Sequence, residues 1–345
     1  MTGETRGNGI FVTMKDSVKK IIGIGIASAA VIAAGAFFAL RTHRAEPGIK
    51  DVYALDTFCA ITVYAGNGDL SEAADRAAKV LRRYDDLLDA NREGSDIWNI
   101  NHRSEAQVRI SAETADMLAQ AKEMETFTGG ALWPGIRPLT KLWDIKNRTT
   151  VPKGSEVADA LHKSQNASWE IRGAEVSGGE AYFAAGNEET KIEPGAFAKG
   201  YIADRMKEEL ESAGVTSAII DLGGNIQTVG KNADGTPFRI GVKDPSGKEA
   251  AVTALEADDI SVVTAGIYER YFEADGMRYH HILDPDTGYP ARSGLASVTV
   301  SGPSSFVCDC LATAALVLGR DKAEAMLSAW NAVHQTDYKA FFIEE

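Results

Sequence analysis

The chain has 345 residues, of which 44% are hydrophobic and 25% charged, the composition of a globular protein with one large or two modest domains. Its net charge is −13, but residues 1–44 carry +4, which leaves −17 for the remainder. A body this acidic is repelled by phosphate backbones, which argues against nucleic acid as a partner. For the same reason, binding of a phosphorylated ligand would require a cation. The three cysteines form neither a disulfide framework nor a zinc motif, and we expect buried apolar filler.

An apolar segment lies near the start of the chain. Residues 21–40 contain no charge and have basic residues on both sides, and their length suits a bilayer, which needs about 20 residues. We predict a transmembrane anchor after a cytoplasmic tail of residues 1–20, with a cleaved secretory signal as the alternative. A polar linker, residues 41–51, follows. The body, residues 52–345, is then expected outside the cytoplasm, either held at the cell membrane by a single span or secreted.

The sequence of the first part of the body predicts a strand followed by helices. The strand is expected at 58–65, and a helix capped by Ser71 is expected to reach about residue 88, because apolar residues recur on one face. Residues 91–102 suit a polar loop or a short helix. Ser111 is predicted to cap a further helix that ends near residue 127.

Residues 129–143 are predicted to be a structured loop, because they combine glycines, prolines and tryptophans. This loop either lines a pocket or fills the core irregularly. Beyond it lies a polar, glycine-containing region in which only short strands are expected, at 169–171 and 181–184.

A tight turn between Gly195 and Gly200 is predicted to lead into an amphipathic helix that ends near Leu210. Backbone N–H groups at such a helix start favour phosphate, and Lys199 adds a positive charge. Glycine-rich turns before helices are common, so this motif alone is weak evidence for a phosphate site.

Strands are predicted to dominate the next part of the chain, because short apolar runs alternate with turn residues. Gly223-Gly224 separates two of them and allows a backbone or a flat ligand to approach closely. A hairpin with its tip at 274–276 follows. The strand regions expected here are 217–230, 238–242, 261–265, 268–279 and 296–301.

The sequence YHHILDPDTGYP, residues 279–290, follows the hairpin. Its two prolines and its glycine interrupt regular structure, so we expect a rigid loop with a titratable imidazole at its root. Taken alone, His280 and His281 fit ordinary strand residues better than catalytic ones. The other motifs of the chain favour a chemical role.

A helix is predicted from Ser305 to Leu318, and on it Asp309 and Thr313 lie four residues apart, on one face. A carboxylate and a hydroxyl in this arrangement suit a hard cation with oxygen ligands, Mg²⁺ above all. A capping role for Asp309 and a packing role for Thr313 would explain the same spacing equally well.

Together, these stretches resemble the FAD:protein FMN transferases, the ApbE family of bacterial flavin transferases, in order from about Leu55 to Gly319. The residues that carry the resemblance are Ser95-Asp96…Asn101, Gly129-Gly130-Ala131, Pro138-Leu139…Leu142-Trp143, Ala198-Lys199-Gly200-Tyr201…Asp204, Gly223-Gly224-Asn225, Tyr268-Glu269-Arg270-Tyr271, His281 to Pro290, and Asp309…Thr313.

The resemblance implies an α+β fold, a mixed α/β body of two halves with a central cleft, that binds FAD as a substrate together with Mg²⁺. It implies transfer of FMN to a threonine or serine hydroxyl of a partner protein, with release of AMP. It assigns His281 as the base, and the Ala196 carbonyl, Asp309 and Thr313 as metal ligands. The positions implied to contact FAD are Leu55, Asn91, Ala131, Leu132, Trp133, Glu193, Lys199 and Leu283.

This chain departs from the usual family residues at Leu55, Asn91 and Leu132-Trp133, and Trp133 offers a stacking surface in their place. The expected partner is a flavin-acceptor protein of a membrane or extracytoplasmic electron-transfer system. Two alternatives stay open, a metal-dependent FAD pyrophosphatase with water as the acceptor and a non-catalytic flavin-binding or scavenging protein.

Overall fold

The computed structural model describes residues 46–173, 180–248 and 250–345. In chain order its strands are β1 (Gly48–Ala54), β2 (Thr57–Gly66), β3 (Gln107–Ile110), β4 (Trp169–Arg172), β5 (Ala181–Ala185), β6 (Val215–Asp221), β7 (Asn225–Gly230), β8 (Phe238–Val242), β9 (Thr253–Ala257), β10 (Ser261–Gly266), β11 (Tyr271–Ala274), β12 (Met277–His280), β13 (Leu295–Gly302) and β14 (Lys339–Glu344). The helices are α1 (Leu70–Leu88), α2 (Asp96–His102), α3 (Ala112–Phe127), α4 (Arg137–Trp143), α5 (Gly154–Gln165), α6 (Ala198–Ser212), α7 (Ser305–Leu318) and α8 (Arg320–His334).

One large antiparallel sheet organises these elements. Its strand order is β1-β2-β6-β7-β10-β13-β14, and every neighbouring pair is antiparallel. A three-stranded sheet, β3-β5-β4, and the hairpins β8–β9 and β11–β12 are separate from it. The prediction of a mixed α/β fold is confirmed, whereas two halves with a central cleft stay a prediction.

The apolar core lies between one face of the large sheet and helices α1, α6 and α7, and α3 packs against α7 and the three-stranded sheet. Inward-facing Ile61 and Val63 on β2 are fully buried, and so are Ala74, Ala77 and Leu81 on α1. The alanines present little side-chain bulk, so α1 can lie close to the sheet and to α6. This core holds the starts of α6 and α7 beside each other.

A smaller apolar cluster joins α4 and α5 to the β11–β12 hairpin. Trp143 packs against Phe272 and Tyr279, with ring centroids 6.4 Å and 5.6 Å away. Leu283, just beyond the hairpin, is buried in the same cluster. The hairpin and the loop that follows it are therefore anchored on α4.

Several predicted elements agree with the structure. The hairpin turn is formed by Asp275 and Gly276, both with positive φ, between Ala274 and Met277, which pair. Ser111 caps α3 through the backbone N–H of Thr114. The three cysteines are free and buried, as expected of apolar filler.

Other predictions were wrong at the level of boundaries. Strand β1 begins at Gly48, inside the expected linker, and α1 is capped by Asp69 rather than Ser71, because the Asp69 carboxylate accepts the Ser71 and Glu72 N–H groups. The predicted loop 129–143 contains α4. Helices α5 and α8 and strands β3, β9 and β14 were not predicted.

The predicted anchor, residues 21–40, lies outside the described residues, as do the tail 1–20 and the start of the linker. Among the residues that the structure describes, no helix is both long enough and apolar enough to span a bilayer.

Candidate active site

Helices α6 and α7 begin side by side, and the Asp309 carboxylate of α7 reaches the start of α6. The Gly200 N–H donates to Asp309 Oδ2 at 2.9 Å. A Cβ on Gly200 would lie 2.3 Å from the Ser305 carbonyl oxygen, so only glycine allows the two helices this approach. In a continuing helix this N–H would bond the Ala196 carbonyl one turn earlier, but α6 begins only at Ala198.

The contact between the helices is reciprocal, because the Asp204 carboxylate of α6 caps α7. Asp204 is half-buried, and the burial of its carboxyl raises the pKa of that group although three donors surround it. These donors are Ser304 Oγ at 2.7 Å, Ser305 N at 2.7 Å and Phe306 N at 3.0 Å. Each helix start is thus satisfied by the other helix, and neither can shift alone.

The predicted metal ligands come from these two helix starts. Asp309 is 6% exposed, and burial raises the pKa of its carboxyl to about 6, against the lowering effect of Lys199 and of the Gly200 N–H. Thr313 lies one turn further along α7 and is half-buried. In the described parts of the chain no three His, Cys, Asp or Glu side chains converge, so a metal at Asp309 would depend on hydroxyl and carbonyl oxygens. A carboxylate, a hydroxyl and a carbonyl fit Mg²⁺.

His281 is held in one tautomer by the backbone. Its Nδ1 lies 3.3 Å from the Arg270 carbonyl oxygen, and its own N–H donates to the same oxygen at 3.1 Å. A carbonyl only accepts, so Nδ1 carries the proton and Nε2 keeps a free lone pair. The residue is partly exposed, but burial of its ring, and then the positive charge of Arg270, lower the pKa of the imidazole. The ring is therefore neutral at neutral pH.

The neighbouring His280 is structural. It is 4% exposed, its Nε2–H donates to the Ala291 carbonyl at 2.9 Å, and its Nδ1 accepts the Ile282 N–H at 3.3 Å. Both ring nitrogens of His280 are therefore hydrogen-bonded, and His280 is an ordinary packed residue. The same interpretation does not apply to His281, whose Nε2 keeps a free lone pair.

The charge of Lys199 acts on both the imidazole of His281 and the carboxylate of Asp309. This lysine is the second residue of α6, and its charge lowers the pKa values of both His281 and Asp309. Lys199 is therefore near enough to both predicted groups for its charge to act on each of them.

Glu269 belongs to the same site but was not among the predicted site residues. The residue is exposed to solvent, and partial burial of its carboxyl raises the pKa of that group, against the opposing charges of Lys199 and Lys243. Its charge also acts on Asp309. The only signal in the sequence was its place in the Tyr268–Tyr271 motif.

The loop that carries His281 is rigid. Leu283 and Pro290 form an isolated β-bridge, the Asp284 N–H donates to the Tyr289 carbonyl at 2.8 Å, and Trp143 Nε1 donates to the Gly288 carbonyl at 2.8 Å. The Leu283 side chain is only 5% exposed, so its backbone is the part that can meet a ligand.

The predicted FAD positions 131–133 follow a turn at the end of α3. Gly129 and Gly130 both have positive φ, which only glycine adopts freely, and they let the chain reverse. The Leu132 side chain is 1% exposed and belongs to the core, whereas Ala131 is partly buried. Trp133 is half-buried, and its Nε1–H donates to the Ser164 carbonyl at 2.9 Å, which fixes the indole plane.

Glu193 is held by a clamp from α4, which we define as Arg137 and Thr140. Arg137 Nη1 and Thr140 Oγ1 donate to Glu193 Oε2 at 2.7 Å and 2.8 Å. Arg137 Nη2 also donates to Asn91 Oδ1 at 2.8 Å. The clamp therefore brings together two of the predicted FAD positions, and its own residues were missed because they lie in the stretch that we predicted to be a loop.

Leu55 lies in the turn between β1 and β2. Leu55 and Asp56 both have positive φ, and the Leu55 N–H donates to Asp85 Oδ1 at 2.9 Å. Thr57, just after the turn, packs so closely on Gly223 that a Cβ there would lie 2.3 Å from its hydroxyl. A close approach at Gly223 is thus present, but the partner is this threonine side chain and not the backbone or flat ligand that we predicted.

The fold and the site define a class of protein, a mixed α/β protein in which the starts of two helices cap each other. The sequence model described as the ApbE family matches residues 55–340. The chain belongs to the ApbE family, and its relatives make it an enzyme of the transferase class.

Individual relatives agree with this assignment. The chain is 33% identical over 288 residues, 79% of each chain, to the FAD:protein FMN transferase of Treponema pallidum (strain Nichols). It is 37% identical over 257 residues, 74% of this chain and 78% of the other, to the FAD:protein FMN transferase of Klebsiella pneumoniae (strain 342). The ApbE protein of Thermotoga maritima has a similar structure, with a TM-score of 0.75 at 27% identity over 86% of this chain and 94% of that one.

Proposed function

We propose that this enzyme transfers FMN from FAD to a threonine or serine hydroxyl of a partner protein, releases AMP and depends on Mg²⁺. The names of its relatives support the donor and the protein acceptor. The observation that carries the proposal is the shared site of Lys199, Asp309 and a neutral His281.

His281 is the proposed base. Its Nε2 accepts the proton of the acceptor hydroxyl, whose oxygen forms a bond to the phosphorus of the FMN half. The anhydride bond to the AMP half breaks, and AMP departs with the bonding electron pair. The Arg270 carbonyl holds the Nδ1 proton, so the ring presents its basic nitrogen throughout.

The phosphate groups are proposed to lie at the start of α6. Lys199 and the N–H groups there offer positive charge to the diphosphate. Asp309, Thr313 and the Ala196 carbonyl would hold Mg²⁺, which, when bound, offsets negative charge that develops on the leaving phosphate. Glu193 and the remaining predicted positions would orient the nucleotide.

We further propose that residues 21–40 anchor the enzyme in the cell membrane with the body outside the cytoplasm, near an acceptor of an electron-transfer system. The uncharged length of this segment supports the proposal. Protease treatment of intact cells that leaves the body uncut, while lysed cells lose it, would refute this location.

Intact-mass measurement of a candidate acceptor, incubated with the enzyme, FAD and Mg²⁺, tests the transfer. We expect the acceptor to gain the mass of FMN less one water, with AMP in equal amount. Free FMN and AMP with an unmodified acceptor would identify FAD hydrolysis instead. Absence of FAD turnover with bound flavin would identify a flavin-binding protein.

A further inference from the structure

A basic pocket lies beside the clamp of Glu193. We define the basic pocket by Arg137, Lys141 and Lys191, with Trp98 and His102 on one wall, and its volume is about 190 Å³. Lys141 and His102 are exposed, so the pocket opens to solvent, while Lys191 is half-buried. The lining also includes Asn91, one of the positions that the family resemblance implies for FAD, whereas neither lysine is among those positions.

The charges of this pocket are incompletely balanced. Arg137 is paired with Glu193 at 2.7 Å, but in the parts of the chain that the structure describes, neither Lys141 nor Lys191 has a carboxylate within 4.0 Å. The Lys191 ammonium donates instead to the Asn101 carbonyl. About two positive charges are thus left over, although the body as a whole is strongly acidic.

Holding these cations together is unfavourable without an anion. Burial lowers the pKa of Lys191, and the nearby charges of Arg103, Lys141 and Arg137 lower it further. Since like charges in a partly buried site repel, an anion that occupies the pocket would remove this cost.

We propose that the basic pocket binds a phosphate monoester, and that its occupant in the reaction is the released AMP. At neutral pH a phosphate monoester carries about 1.5 to 2 negative charges, which matches the two unpaired lysines, whereas a carboxylate carries one. The FAD diphosphate contains no monoester, so AMP acquires this second charge only on cleavage. This inference rests on the proposed function, because the transfer is what produces AMP.

The aromatic wall suits the nucleoside part of this ligand. Trp98 and His102 are stacked with ring centroids 4.3 Å apart, and Trp98 is half-buried. Nucleobases stack readily on such aromatic faces. Arg137 donates to both Asn91 and Glu193, so the pocket adjoins two of the positions that the family resemblance implies for FAD, the source of the AMP.

Calorimetric titration of the full chain in detergent, with EDTA to remove metal, tests the proposal. AMP, inorganic phosphate and adenosine are the three probes. We expect AMP and phosphate to bind and the Lys141→Gln variant to bind both about tenfold more weakly, with a larger loss in Lys141→Glu. Lys163→Gln is the matched control, since Lys163 is an exposed lysine of α5 paired with Asp159 at 2.6 Å.

Lys141 is exposed, so its variants should fold. Lys191→Gln is a second test, because it removes the other unpaired lysine of the basic pocket. Equal AMP affinity in the wild type and in all three pocket variants would overturn the proposal. Adenosine binding as tightly as AMP, with the same loss in Lys141→Gln, would also overturn it, because the phosphate would then contribute nothing.

The acceptor mass measurement on the same preparation separates this inference from the proposed function. Failure of transfer with intact, Lys141-dependent AMP binding would reject the transferase reaction and keep the pocket. Normal transfer with AMP binding unaffected by the pocket lysines would reject the pocket and keep the reaction.

Discussion

Two regions of the site differ in how the protein builds them. At the phosphate end, which we define as Lys199, Asp309 and His281, two buried helix starts cap each other and a backbone carbonyl fixes the imidazole. At the clamp end, Glu193 is held by the side chains of Arg137 and Thr140, partly open to solvent. For the proposed reaction, the difference means that the groups assigned to the chemistry are fixed by the fold itself, whereas Glu193, which is assigned to nucleotide binding, is held by individual side chains.

The largest effect is expected at the phosphate end, from His281→Ala. The transfer rate should fall about 10²- to 10⁴-fold because the base is lost, while FAD affinity stays within about threefold. Stopped-flow measurement of transfer, with FAD binding by flavin fluorescence, checks both. His280→Gln is the matched control and should keep the chemical rate; an equal loss in both variants would mean that His281 only supports the loop.

The next largest effect is expected from Asp309→Asn. The amide keeps an oxygen for the Gly200 N–H but loses the charge, so FAD affinity in Mg²⁺ should fall at least about tenfold, with little change in EDTA. Flavin fluorescence titrations with and without Mg²⁺ measure this. Asp321→Asn on the exposed start of α8 serves as the control. The same loss in EDTA would show that Asp309 acts on the helix rather than on a metal.

Stability toward acid should depend on His280. Burial lowers its pKa to about 4. In the unfolded chain the pKa is near 6.5, so between these values only the unfolded state takes up the proton, and the free energy of unfolding falls by about 1.4 kcal/mol per pH unit as pH drops. His280→Gln should remove this share of the slope in urea unfolding, and exposed His162→Gln should not. An unchanged slope in His280→Gln would mean that the ring is charged in the folded state.

The smallest effect is expected at the clamp end. Thr140→Val removes one of two donors to Glu193 while the ion pair with Arg137 stays, so FAD affinity should fall about threefold and the transfer rate at saturating FAD should not change. Steady-state kinetics separate KM from kcat, and Thr150→Val is the exposed control. A change in kcat as large as that in KM would place Glu193 among the reacting groups and remove the contrast between the two ends.

The sequence predicted the phosphate end better than the clamp end. Asp309 and Thr313 share a helix face by spacing alone, and the glycines around Lys199 mark a tight helix start. The clamp was missed because Arg137 and Thr140 belong to a stretch that we predicted to be a loop. Its helix α4 is stabilised by the packing of Trp143 on the β11–β12 hairpin, a contact between distant parts of the chain.

Local patterns thus determined which side chains lie on one helix face, where turns occur, and which loop carries the histidines, because these depend on residues near in sequence. Only the tertiary structure decided which histidine is free to act, since both have the same neighbours in the chain. His280 is occupied by the carbonyl of Ala291 and His281 is oriented by that of Arg270, each eleven residues away. Likewise, the mutual caps of α6 and α7 join residues about a hundred positions apart, and no local pattern encodes such a contact.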